Sequence, residues 1–134
     1  MNAILVDSSV WIDYYRPQKK SFAKETLERL FTRNAPLRLC PVIYQEVLQG
    51  VKDHEFRAIK ERLLSYPMVE TDLLTATDCA IDIYRQLRRK GKTVRNAADC
   101  LIAAYALCGE RWLLHNDRDF DPIAEEFPLK VWRP

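Results

Sequence analysis

The sequence predicts an α/β fold in one domain, with a parallel sheet of about five short strands flanked by helices. Three observations predict it. Short apolar runs alternate along the chain with segments of helical periodicity. The first run, Ala3–Val6, has no polar residue to face solvent, as in a strand covered on both sides. No linker, repeat or low-complexity tract divides the 134 residues, a length that suits a single hydrophobic core. The expected domain is residues 1–134.

The elements follow in order. The first strand ends at Asp7, and Ser8 or Ser9 is placed to cap a short helix that runs through Tyr15 and stops at Pro17. An amphipathic helix carries Ala23, Leu27, Leu30 and Phe31 on one face and Lys24, Glu25, Glu28 and Arg29 on the other. Leu37–Cys40 reads as the second strand, and Pro41 suits the first turn of a helix that turns Ile43, Val47 and Leu48 inward. A further helix carries Phe56, Ile59, Leu63 and Leu64, and Met68–Thr71 is a weak third strand. Thr75 or Thr77 opens a long helix with Ala76, Ala80, Ile83 and Leu87 inside, ending at Gly91. Asn96 has the position of an N-cap for a helix through Cys108 that is apolar almost all round and therefore central. Trp112–Leu114 is the fourth strand, Arg118–Phe127 a turn or short helix, and Leu129–Trp132 the last strand. Crossovers between the parallel strands should be right-handed.

Composition excludes several functions. Hydrophobic residues make up 48% and charged residues 30%, which is globular rather than disordered. The net charge of +2 does not by itself announce a nucleic-acid binder. Only three glycines are present, Gly50, Gly91 and Gly109, so no phosphate-cradling or dinucleotide loop is possible. The four cysteines form no CxxC pair and the two histidines complete no zinc site. Buried free thiols in a reducing, cytoplasmic setting are expected. The longest apolar run, Cys100–Cys108, is too short to span a membrane, and no signal peptide is expected.

Acidic residues supply the functional signal. In open parallel sheets, ligands sit beyond the carboxyl ends of the strands. Asp7 ends the first strand, Asp117 follows the fourth, Asp99 sits in the first turn of the central helix, and Glu46 lies in the helix after the second strand. Each has a structural explanation: Asp7 as a helix cap, Asp99 as a capping-box acid, Glu46 as a solvated residue, and Asp117, Asp119 and Asp121 as turn formers. Gathered at one site, however, they repel and raise one another's pKa, a conflict that a cation removes. Oxygen ligands with no histidine or cysteine pattern point to Mg²⁺ or Mn²⁺. A calcium EF-hand is excluded, because Pro122 and Pro128 stand where glycine and glutamate are needed. Such a site suits phosphate chemistry.

Four segments, in order, resemble the acidic motifs of the PIN-domain ribonucleases, and within them the VapC-type toxins of toxin–antitoxin pairs. They are Leu5–Asp13, Val42–Val47, Asn96–Ala104 and Leu113–Phe120. The resemblance implies a PIN-like three-layer fold and an endoribonuclease that uses a metal-activated water to leave a 5′-phosphate and a 3′-hydroxyl. It implies that Asp7, Glu46, Asp99 and Asp117 hold one or two Mg²⁺ or Mn²⁺ ions. Asp7 and Asp99 would be the most direct ligands, and Asp119 the runner-up for the fourth place. It further implies an RNA substrate, a homodimer and a cognate VapB-type antitoxin that covers the acidic pocket. His115 departs from the pattern, standing where relatives carry a small hydroxyl residue; a structural hydrogen bond, a substrate contact and a proton relay are the readings open to it.

The run Arg85–Arg95 is the most basic stretch and leads towards Asp99. Arg88, Arg89, Lys92 and Arg95 are candidate RNA contacts; a solvated helix end favoured by the macrodipole explains the same charges. Arg16, Lys19, Lys20 and Lys24 form a second cluster. Trp11, Tyr14 and Tyr15 are expected to pack or form an interface. The alternative function is a catalytically silent PIN-like module that binds RNA or protein. A phosphoryl-receiving domain fits the order of the acids poorly, and a DNA nuclease with the same metal chemistry requires a direct substrate comparison.

Overall fold

A computed structural model describes residues 2–133. In chain order the elements are β1 (Ile4–Val6), α1 (Ser8–Tyr14), α2 (Phe22–Thr32), β2 (Leu37–Arg38), α3 (Pro41–Gln49), α4 (Asp53–Leu64), α5 (Leu73–Arg89), α6 (Ala97–Cys108), β3 (Trp112–Leu114), a 3₁₀ turn (Arg118–Phe120), α7 (Asp121–Glu126) and β4 (Lys130–Val131). The sheet has four strands among the described residues, in the order β2-β1-β3-β4. Every pairing is parallel, with Leu5 opposite Arg38 on one side and Leu113 on the other. All carboxyl ends therefore point the same way, and the chain leaves β1 at Asp7 and β3 just before His115, side by side.

The two central strands carry the most complete burial. Ile4, Leu5, Val6 and Leu113 are fully enclosed, so the continuous apolar run reports a strand covered on both faces. α6 supplies Cys100, Ile102, Ala103, Ala104, Tyr105 and Ala106 to the core, as its all-round apolar sequence requires. Ala76, Ala80, Ile83 and Leu87 form the inner stripe of α5 against it. Trp11 is fully buried at the centre of an aromatic cluster with Tyr14, Tyr15, Phe31 and Tyr66. The aromatic residues of α1 thus pack within the chain. Among the described residues no helix is long and apolar enough to cross a membrane.

The structure corrects several expectations. The segment after Met68 forms no strand; it contributes one bridge, Leu39 to Met68, held by Val69 N–H donating to Leu39 O at 2.7 Å. Polar Glu70 and Thr71 follow, and Asp72 turns the chain into α5, so pairing stops. Asp72, rather than Thr75 or Thr77, caps that helix, accepting from the Thr75 N–H at 3.0 Å. Of the caps open to α1, Asp7 fills the place, as its structural explanation has it, and Ser8 and Ser9 do not. In α4 only Ile59 and Leu63 are buried, and Phe56 and Leu64 are exposed, because the helix touches the body along a narrow stripe. All four cysteines are free, but only Cys40 and Cys100 are buried; Cys108 is exposed.

Candidate active site

The acids at the carboxyl end of the sheet are positioned by local backbone rules and then drawn together by topology. Asp7 follows β1 with extended φ and ψ, and its Oδ2 accepts from the Ser9 N–H at 3.0 Å and the Ser9 hydroxyl at 2.5 Å. Its Oδ1 is buried and accepts from no described residue. Capping and ligation are therefore compatible, with one oxygen spent on the helix and the other left over. Asp117 repeats the device. Its Oδ1 accepts from the Asp119 N–H at 2.9 Å, capping the 3₁₀ turn.

Asp99 differs. The capping box expected behind Asn96 does not form: Asn96 Oδ1 accepts from the Ala98 N–H, while the Asp99 carboxylate makes no hydrogen bond with any described residue. Yet Asp99 is only 5% exposed. One carboxylate oxygen each from Asp99, Asp117 and Asp119 lies within 4.8 Å of the others. Asp119, the runner-up by sequence, thus stands in this closest group. Glu46 is held from α1, where the Ser8 hydroxyl donates to its Oε1 at 2.9 Å.

Electrostatics shows how strained this gathering is. Among the described residues no Lys, Arg or His forms an ion pair with Asp7, Glu46, Asp99, Asp117 or Asp119. Burial pushes the Asp99 carboxyl up to about 7, with repulsion from Asp117, Asp7, Asp119 and Glu46 adding to it. Burial likewise raises Asp7 to about 6, against the lowering effect of its Ser9 hydrogen bonds. A site that concentrates negative charge, leaves a buried oxygen without a partner and offers only hard oxygen donors fits a divalent cation such as Mg²⁺ or Mn²⁺.

A supporting network ties β3 to α1. The Ser9 hydroxyl accepts from the Asn116 N–H at 3.0 Å, and Asn116 Nδ2 donates to Oδ2 of buried Asp13 at 2.7 Å. Sequence reading assigned no role to Asn116 or Asp13 and treated Ser8 and Ser9 only as caps. The Asp7–Ser9 spacing of two residues was a usable signal for a local side-chain bond. The Ser8–Glu46 and Asn116–Asp13 contacts join residues 38 and 103 positions apart and leave no local trace. Asn116→Ala removes the donor facing a buried carboxylate and is expected to destabilise the fold by about 1–3 kcal/mol. Urea unfolding checks this, and an unchanged midpoint would show that the bond contributes nothing.

His115 Nδ1 accepts from the Asp117 N–H at 3.2 Å, and the ring packs on Phe120 with centroids 4.8 Å apart. The ring thus has a structural hydrogen bond, and burial lowers its pKa, which favours the neutral form. The basic stretch is partly committed elsewhere. Lys92 pairs with Glu125 and Glu126 at 2.7 Å, and Lys90 also pairs with Glu126, so the Lys92 ammonium is engaged by carboxylates. Arg88 lies over the Tyr84 ring at 5.9 Å, on the rim of an apolar cleft between α5 and α6. Arg89 and Arg95 are exposed.

Comparison with known proteins gives the chain a family. Residues 4–126 match the PIN domain family. VapC ribonuclease Mb1587 of Mycobacterium bovis and ribonuclease VapC11 of Mycobacterium tuberculosis are each 38% identical to the chain over 122 residues, covering 90% of it and 91% of theirs. The structure of VapBC2 from Rickettsia felis, bound to a DNA fragment from their promoter, superposes with a TM-score of 0.74 at 19% identity, covering 97% of each chain. FitAcB from Neisseria gonorrhoeae gives 0.71 at 20% identity, covering 97% of this chain and 96% of that one. At those identities the solved structures speak for the fold alone.

Proposed function

The chain belongs to the PIN domain family, and from that premise we propose that it is a single-domain, Mg²⁺- or Mn²⁺-dependent endoribonuclease, the toxin of a VapBC-type toxin–antitoxin pair. The observation that carries this reading is the set of unneutralised carboxylates at one end of the parallel sheet, two of them raised towards neutral pH. The two mycobacterial relatives named as VapC ribonucleases support RNA as the substrate.

Asp7, Glu46, Asp99 and Asp117 would hold one or two cations, with Asp119 available to the same group. When bound, such an ion activates water and offsets charge on the phosphoryl group. The chain's own residues set the stage for this. The two hydrogen bonds from Ser9 hold Asp7 in a fixed orientation and keep it ionised more readily than burial alone would allow. The Ser8 hydroxyl aims Glu46, and the Asp117 cap fixes the turn that brings Asp119 to Asp99. Pre-set carboxylates reorganise little when substrate arrives, which is where electrostatic catalysis gains most.

The same negative pocket suits a VapB-type antitoxin that lays a basic side chain over the acids. A homodimer belongs to this reading, and exposed Leu73, Leu74 and Ile81 along α5 offer apolar surface for one. A cytoplasmic location follows from the toxin role.

The experiment compares purified protein on a cellular RNA pool and on DNA of matching lengths, in Mg²⁺, Mn²⁺ or chelator. Discrete RNA fragments with 5′-phosphate and 3′-hydroxyl ends, and intact DNA, are expected. Comparable cutting of DNA would make it a general nuclease. RNA binding that ignores chelator, without cleavage, would instead identify a silent binding module.

A further inference from the structure

Beside the acid cluster lies a second feature that the metal chemistry does not use. An open cleft of about 580 Å³ is lined by His115, Asn116, Asp117, Arg118, Asp121 and Arg133, a volume within the ~300–1,000 Å³ range of ordinary ligand sites. It shares Asp117 with the cluster, so whatever occupies it is contiguous with whatever the acids act upon. Its cations come from separate parts of the chain: Arg118 opens the 3₁₀ turn after β3, and Arg133 follows β4. Both are exposed, and neither guanidinium forms an ion pair or hydrogen bond with any described residue. Lys90 and Lys92, by contrast, are paired with glutamates.

His115 adds a donor of fixed direction. Because its Nδ1 accepts from the Asp117 N–H, the neutral ring carries its proton on Nε2. Packing on Phe120 holds the ring plane. Of the two acids in the cleft, Asp117 belongs to the cluster whose charge a bound cation offsets. Asp121 is exposed and remains the counter-charge. Two unpaired guanidiniums and a fixed N–H donor form a recognition set for phosphate oxygens.

We infer that this cleft holds the phosphodiester group adjoining the one being cut, gripped by Arg118 and Arg133 with the His115 Nε2–H as a third donor. The inference rests on the ribonuclease reading and deepens it by assigning a second subsite along the RNA backbone. It also gives His115 a substrate contact in addition to its structural bond.

The test measures equilibrium binding of fluorescein-labelled single-stranded RNA by anisotropy in Mg²⁺, with Asp99→Asn as the non-cleaving background. Arg118→Ala and Arg133→Ala should each weaken binding about tenfold, and each should flatten the plot of log affinity against log salt by about 0.7. Arg133→Lys should retain the salt slope. His115→Asn keeps an acceptor for the Asp117 N–H but loses the Nε2 donor, and should cost about threefold. Arg29→Ala, at an exposed position of α2, serves as the charge-matched control and should change little. Arginine variants that match the control in affinity and slope overturn the assignment. If wild-type protein still cleaves RNA in that case, the cleft alone has failed. If wild-type protein neither cleaves nor binds RNA, the ribonuclease reading falls and the cleft with it.

Discussion

Asp99→Asn is expected to give a more stable protein that no longer cuts RNA. The carboxylate is almost fully buried, accepts no hydrogen bond from a described residue and faces four other acids. An amide of the same shape removes that repulsion. At pH 8 without metal, unfolding should cost about 2 kcal/mol more than in the wild type. For a chain of this size that is on the order of 5–8 °C in melting temperature. Cleavage should fall about 10³-fold or more, a loss of roughly 4 kcal/mol of transition-state stabilisation. Thermal melts in chelator and initial cleavage rates check the two halves separately. A variant both less stable and fully active would show that Asp99 is a structural residue.

The second large effect is on the pH dependence of stability in the absence of metal. Asp7 and Asp99 ionise in the unfolded chain near 3.8, but in the folded chain at about 6 and about 7. The folded form therefore binds protons more tightly than the unfolded form between those values. Stability from these groups is fully present below about pH 4 and is lost as pH rises through 6 and 7. Metal-free protein should lose on the order of 2 kcal/mol or more between pH 5 and pH 8. Millimolar Mg²⁺ or Mn²⁺ should restore much of it at pH 8, because a ligand that binds only the folded form stabilises it. Flat or rising stability over that interval, with no response to metal, would mean that the acids are not mutually strained.

The sequence made the frame legible where one physical requirement governed a whole segment. The unbroken apolar runs of β1 and α6 are possible only inside a protein, and both proved central. The inner stripe of α5 was legible for the same reason. Elements governed by competing local choices were harder to place. Asp72 outcompeted two threonines as a cap because a carboxylate oxygen accepts more strongly than a hydroxyl. Met68–Thr71 has a strand-like start, but pairing stops after the Met68 bridge, where polar residues lead to the Asp72 cap of α5. At the site, every acid singled out by position lies at the same end of the sheet, because parallel topology leaves it no other place. The finer arrangement depended on contacts far apart in sequence. Nothing local in the chain announces that Ser8 meets Glu46, that Asn116 meets Asp13, or that Arg118 and Arg133 line one cleft.

The most direct test of the central claim is metal reconstitution. Protein stripped of divalent ions would be mixed with labelled RNA, and cleavage followed as Mg²⁺ or Mn²⁺ is added back. The account predicts no cleavage in chelator, recovery on metal addition, and no recovery with Asp99→Asn. Cleavage that persists in chelator, or that survives equally in the variant, would contradict it.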